Sequence, residues 1–208
     1  MKYIIRFILS LLIFNLTFVK EGHAAALASG DNATPYFVQN FDVSGQESKS
    51  RGITFNNDGS KMYIVGWVGD DVNEYNLSTN FDVSTASFVD SYSFRTPDNL
   101  ESKPTSVKFN NNGTKMFIIG RGSKDMNEFI LSTAYDVSTA AHETQLPFDS
   151  TENAPNGFDF NNDGTMLYIT GSQHESMFQF SLNVAFDLSE GLELLRSCLL
   201  YTSPSPRD

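Results

Sequence analysis

The chain holds one cysteine, Cys198, among 208 residues. A single thiol cannot close an internal disulfide, so no disulfide framework organises the fold. Basic residues are scarce: 14 Lys and Arg stand against 25 Asp and Glu, a net charge of −11. A nucleic-acid groove needs clustered Lys and Arg to neutralise phosphates, so that class of partner is excluded. Helix signals are scarce too. After residue 28 no apolar stripe of useful length recurs every 3.6 residues, which argues against a helical protein. Neither Gly-x-Ser-x-Gly nor His-Glu-x-x-His occurs. A hydrolytic triad, a zinc site or a bound cofactor is therefore not expected in this stretch.

Long apolar runs are absent as well, except one. Residues 7–19, FILSLLIFNLTFV, follow Lys2 and Arg6 and precede AAALA. A basic start, an apolar run of this length and a small-x-small end at residues 26–28 read as a secretory signal peptide. The run is shorter than the ~20 apolar residues a spanning helix needs. With residues 1–28 removed, no transmembrane span is expected. Residues 29–197 carry 10 Lys and Arg against 23 Asp and Glu, a net of −13. The expected destination is secreted, periplasmic or cell-surface.

What is abundant is aromatic residues, 13% of the chain with 18 Phe and 8 Tyr, and repetition. GITFNNDGSKMYIVG begins at Gly52, SVKFNNNGTKMFIIG at Ser106 and GFDFNNDGTMLYITG at Gly157. The offsets are 54 and 51 residues, and residues 48–86 match 102–140 at 21 of 39 positions. NEYNLSTNFDVSTA, NEFILSTAYDVSTA and FQFSLNVAFDLSEG travel with them at a fixed distance. A period near fifty residues calls for a repeat architecture.

Each unit reads as four strands, a to d. NNDG between GITF and KMYIVG is a hairpin turn, because Asn, Asp and Gly accept positive φ. KMYIVG is apolar without alternation, so both of its faces are buried. VNEYNL and SFVDSYSF complete the unit. Four antiparallel strands with doubly buried centres describe a propeller blade, since blades stack face to face. A β-sandwich would show inward–outward alternation instead. The fold class is therefore all-β, a β-propeller fragment of about three four-stranded antiparallel blades in an incomplete ring.

FNNDGSKMYIVG resembles the strand–turn–strand core of the bacterial YVTN and WD-like propeller-repeat superfamily. The resemblance covers residues 48 to about 196. It implies blades at 48–101, 102–153 and 154–197, the last truncated, after an N-terminal segment at 29–47. Glu47-Ser48-Lys49 aligns with Glu101-Ser102-Lys103, so residues 37–43 are expected as a lone strand that closes the ring with a blade this chain lacks. Residues 198–208, CLLYTSPSPRD, match nothing in the other units. They are similar to a translated sequencing adapter and are read as a non-native tail.

The superfamily includes lactonases, quinoprotein dehydrogenases and binding scaffolds, so the resemblance leaves several functions open. The leading expectation is an exported scaffold that binds a protein or a glycan. The alternatives are a lactonase-like or quinoprotein-dehydrogenase-like propeller enzyme and a surface adhesin. The turn carboxylates Asp58 and Asp163, and Asp82, Asp136 and Asp187 in the c–d connections, read as caps of backbone N–H groups rather than metal ligands. His142 and His174 fall at different places in the repeat and read as solvated. Matching sequence concentrates in the a–b and c–d loops, while the b–c loops differ: WVGDD, RGSKD and SQHES. Function sits on variable loops held by a rigid scaffold. The candidate ligand face is therefore Trp67, Asp70 and Asp71 in the first blade, Arg121, Lys124 and Asp125 in the second, and Gln173, His174 and Glu175 in the third. Trp67, the single Trp, is the natural anchor.

Overall fold

A computed structural model describes residues 37–95, 99–148, 152–173, 176–190 and 192–199. The expected signal peptide, His174, Glu175 and residues 200–208 lie outside the described residues. The chain divides into two compact units, residues 1–39 and 40–208. All twelve strands belong to the second.

The strands form three antiparallel sheets of four in sequence order. The first contains β1 (Ser50–Phe55), β2 (Lys61–Gly66), β3 (Asp71–Leu77) and β4 (Ala86–Ser93). The second contains β5 (Pro104–Phe109), β6 (Lys115–Gly120), β7 (Asp125–Leu131) and β8 (Ala140–Pro147). The third contains β9 (Pro155–Phe160), β10 (Met166–Gly171), β11 (Ser176–Leu182) and β12 (Leu192–Leu199). β1 neighbours β5 and β5 neighbours β9, so successive sheets converge at their first strands.

The continuous apolar reading of strand b holds: after the leading lysine every residue of β2 and β6 is buried. One face of β2, Tyr63 and Val65, meets Val107, Met116, Ile118, Phe129 and Leu131 of the second sheet. Phe117 and Ile119 of β6 repeat this against Phe158, Leu167, Ile169 and Phe178. Each such side chain contributes about 1.5–3 kcal/mol relative to exposure. β10 alternates instead, because no further sheet covers Tyr168 and Thr170 among the described residues.

The NNDG hairpins form as expected. Gly59, Gly113 and Gly164 take φ of 73°, 72° and 73°. A side chain there would also overlap the ring of Phe81, Tyr135 or Phe186, which lies on each turn. These rings are themselves held at positive φ, 60°, 62° and 53°. The second Asn of each turn has a role the sequence did not disclose. Asn57 Nδ2 donates to Asn111 O at 2.6 Å, and Asn111 Nδ2 to Asn162 O at 2.7 Å, tying turn to turn across sheets. The caps also form: Asp82, Asp136 and Asp187 accept from the backbone N–H of Ser84, Ser138 and Ser189.

Asp163 accepts from Thr165 Oγ1 at 2.6 Å and Thr165 N at 3.0 Å. Those bonds hold its carboxyl below the ordinary value of 3.8. A lowered carboxyl stabilises the fold above its unfolded pKa and loses that contribution as pH falls through the folded one. The group is fully exposed, so the effect is local. Carboxyl NMR titration of the folded chain is expected to put Asp163 below 3.8. Asp163→Asn is expected to keep the turn, because Asn112 accepts the same pair of bonds from Thr114. An Asp163 midpoint at or above 3.8 would refute this.

One expectation changes. Residues 37–43 form no strand. A strand needs a partner edge, and none pairs with these residues among those described. Phe41 and Val43 pack instead on Met62, Ile64, Tyr75 and Leu77 of the first sheet. β12 runs through Cys198 and Leu199, which pair with Met177 and Ser176. Ladder bonds are backbone bonds, so pairing runs on past the change in sequence.

Candidate functional site

The b–c loops and the starts of the first strands share one end of the sheets. Each first strand opens on a register shift: between Ser50 and Gly52, between Pro104 and Ser106, and, opposite Thr170 and Gly171, between Pro155 and Gly157. The residues skipped are Arg51, Thr105 and Asn156. A bulge of this kind re-aims one side chain out of the alternation. Arg51 thereby lies over the indole of Trp67, its guanidinium carbon 3.8 Å from the ring centroid. Thr105 Oγ1 donates to Ile119 O at 3.1 Å, and its contact with Pro155 O is 3.2 Å. Asn156 Oδ1 accepts from Arg121 Nε at 3.1 Å and also from Arg121 Nη2.

Arg121 is the centre of this end. Its guanidinium carbon stands 5.9 Å from the Trp67 ring centroid in the first sheet. Its Nη2 donates to Ser172 Oγ at 3.1 Å in the third. Trp67, Arg121 and Ser172 occupy equivalent positions of the three repeats, and the fold brings them into one row. Trp67 is half-buried, and its Nε1 is buried without a partner among the described residues.

Beneath the row lies a second repeated set. Glu47, Glu101 and Glu152 are each no more than 1% exposed. Glu47 accepts from the N–H groups of Lys49, Val68 and Gly69 at 2.5, 3.2 and 3.0 Å. Glu101 accepts from Lys103, Gly122 and Ser123 at 2.5, 2.9 and 3.3 Å. Glu152 accepts from Ala154 and Gln173 at 2.7 and 3.2 Å. Each carboxylate thus fastens a b–c loop to the start of its own sheet. The glycine ending strand b makes this possible, since a side chain at Gly66, Gly120 or Gly171 would overlap that carboxyl group. The repeated E-S-K was visible in the sequence. The signal overlooked was its coupling to the V-G, I-G and T-G endings.

The remaining predicted residues divide. Lys124 is exposed, at a φ of 63°. Gln173 is exposed. Asp71 is half-buried and accepts from Asn73 Nδ2 at 2.6 Å. Burial pushes its carboxyl up against the opposing effect of that bond. Asp70 and Asp125 are buried, at 3% and 6% exposure. Asp70 pairs with Arg95 Nε at 2.6 Å, yet burial outweighs the guanidinium and pushes its carboxyl up. Asp125 accepts from Asn127 Nδ2 at 2.7 Å and from the Ser123 hydroxyl. The partners found for both lie within the loop or beside it. His174 and Glu175 lie outside the described residues. His142 sits within β8, edge-on to Phe129 at 5.4 Å. Among the described residues no group of three or more His, Cys, Asp and Glu could hold a metal ion.

No family model matches the sequence, and no curated protein matches it. Solved structures do. A protein from Lactobacillus plantarum aligns at TM-score 0.54 and 14% identity, over 71% of this chain and 41% of its own. The periplasmic gluconolactonase PpgL of Pseudomonas aeruginosa aligns at TM-score 0.54 and 15% identity, over 72% and 39%. A protein of unknown function from Desulfotomaculum acetoxidans aligns at TM-score 0.52 and 15% identity, over 76% and 45%. The chain therefore spans about two-fifths of the length of the structures it matches. At these identities the likeness is one of fold. The three sheets are part of a β-propeller.

Proposed function

We propose that this chain is the exported, ligand-binding part of a β-propeller protein, and that the end carrying Trp67, Arg121 and Ser172 binds a protein or a glycan. The observation that carries this is the contrast between two layers. Buried glutamates repeat from blade to blade and fix the loops, while the residues they present differ in every blade. A rigid base under a varied surface is how binding faces are built. A half-exposed indole is the residue type that most often anchors such a face.

The single tryptophan makes the test direct. The exported chain is screened against a glycan array and a set of candidate proteins, and each hit is titrated against indole fluorescence. A true ligand of this face is expected to change Trp67 emission saturably. Trp67→Ala is expected to weaken binding by about 2 kcal/mol, near thirtyfold. Hits that leave the emission unchanged and bind Trp67→Ala equally well would place the ligand elsewhere.

A further inference from the structure

The first and third sheets each leave one face without a neighbouring sheet among the described residues, and the two faces are the two halves of one repeated junction. Between the first and second sheets, Tyr63 and Val65 of β2 press on Val107, Met116, Ile118 and Phe129. Between the second and third, Phe117 and Ile119 of β6 press on Phe158, Leu167, Ile169 and Phe180. By the repeat, the next pressing pair is Tyr168 and Thr170 of β10, and the receiving set in the first sheet is Ile53, Met62, Ile64 and Tyr75. Tyr168 is half-buried and Thr170 exposed, where Tyr63, Val65, Phe117 and Ile119 are fully buried. Ile53 is 56% exposed, where Val107 and Phe158 are 1% and 6%. It lines a cleft of about 420 Å³ with Phe41, Val43, Met62, Ile64 and Val83. The polar groups of the junction recur as well. Tyr63 Oη donates to Tyr135 O at 2.6 Å, and Asn57 and Asn111 donate to the next turn at 2.6 and 2.7 Å. Glu74 and Glu128 accept from Val137 N and Leu188 N at 3.0 and 2.8 Å. At the same positions of the third sheet, Tyr168 and Asn162 carry donors that reach no acceptor among the described residues, and Gln179 carries an amide oxygen. The matching groups of the first sheet are Phe81 O, Asn57 O and Val83 N.

We infer that the open face of the first sheet seats the third sheet of a second copy of this chain, and that two copies, with three sheets each, close head to tail into a ring of six. That number lies within the range of about four to eight at which propellers close. Each junction is heterologous, one face meeting a different one, and such contacts give a ring when the rotation closes. One part of the seat is already filled. Tyr92 of the first sheet meets Phe129 edge-on at 5.4 Å, and Phe41 meets Tyr75, the equivalent of Phe129, edge-on at 5.7 Å. Phe41 thus stands against the first sheet where an incoming sheet would bring its counterpart of Tyr92. In the third sheet that counterpart is Cys198, which pairs with Met177 as Tyr92 pairs with Val72. The end of β12 and Phe41 of the second copy compete for one place, and β12 gives way beyond Ser197.

The test is sedimentation velocity of the exported chain across a wide range of concentration, with reductant present so that Cys198 forms no disulfide. A dimer is expected. Ile53→Asp and Thr170→Asp are each expected to weaken it at least tenfold, because each buries an unpaired carboxylate in the junction. Neither should lower the melting temperature of the monomer, since both side chains are exposed within one chain. Mixed in equal amounts, the two variants should associate again, because each brings the intact face the other lacks. Ending the chain at Ser197 is expected to tighten the dimer severalfold. A wild-type chain that stays monomeric at every concentration would overturn the inference and leave the face to another sheet. Assemblies that grow without limit would overturn the closed ring. A dimer that survives both substitutions, variants that do not associate on mixing, or a looser dimer at unchanged melting temperature after truncation would overturn the inference too.

Discussion

Glu128→Ala is expected to lower the stability of the full chain by about 3–5 kcal/mol, the range for removing one partner of a buried ion pair. Glu128 is fully buried. Its Oε1 lies 2.6 Å from Lys115 Nζ, and its Oε2 accepts from Leu188 N at 2.8 Å. Leu188 lies in the connection between β11 and β12, so one side chain neutralises an ammonium and bolts two blades together. Glu74 does the same one blade earlier, pairing with Lys61 and accepting from Val137 N at 3.0 Å. Burial works against the charge of Lys115, but Glu128 and Asp187 outweigh it and hold its pKa above the ordinary 10.5. Without Glu128, that charge and the Leu188 N–H both lose a buried partner. The third repeat supplies the control. It carries Met166 and Gln179 where the second carries Lys115 and Glu128. The double substitution Lys115→Met with Glu128→Gln removes the charge and keeps an acceptor for Leu188. It is expected to cost less than half as much as Glu128→Ala. Denaturant midpoints of the three chains decide. Equal losses would show that the broken Lys115–Glu128 pair is not the cause.

The architecture was legible because three copies of one pattern made each reading three times over. The turns follow from Asn and Gly chemistry, the caps from Asp-Val-Ser, and the doubly buried strands from MYIVG and MFIIG. What escaped was whatever depends on a partner far away in sequence. The inter-blade bonds of Asn57 and Asn111 look, within one repeat, like ordinary turn residues. Glu74 and Glu128 read as polar positions in a strand and prove to be buried bolts. At the candidate face, the variable positions led to Trp67 and Arg121, which the fold brings into one row with Ser172. Arg51 and Asn156 were missed for a physical reason. They sit on bulges, where a side chain leaves the alternation that strand reading relies on. Asp70 and Asp125 read as open loop residues because their partners, Arg95 for the one and Asn127 for the other, do not show in a loop read alone.

The glycine–glutamate pairs under the face give the second large effect, and their logic can be tested by coupling. The three atoms nearest a side chain added at Gly171 all belong to the Glu152 carboxyl group and its Cγ. Gly171→Ala is expected to cost about 2 kcal/mol by overpacking. Glu152→Ala is expected to cost about 2–3 kcal/mol, because the N–H groups of Ala154 and Gln173 lose a charged acceptor. In the double substitution the new methyl enters the space the carboxyl left. The combined loss should then fall short of the sum by more than 1 kcal/mol, as it does for groups in direct contact. Gly120 offers a contrast. There the carbonyl oxygen of Lys103 also crowds the added carbon, and truncating Glu101 does not move it. Less relief is expected in the Gly120→Ala and Glu101→Ala cycle. Equal coupling in both cycles would mean that backbone shifts, not the carboxyl group, absorb the added volume. Additivity in the third blade would mean that Glu152 and Gly171 do not share one space. If the coupling is found, the glycine closing strand b exists to admit the glutamate, and the glutamate exists to hold the loop. The varied residues above it are then displayed by an anchor repeated in every blade described.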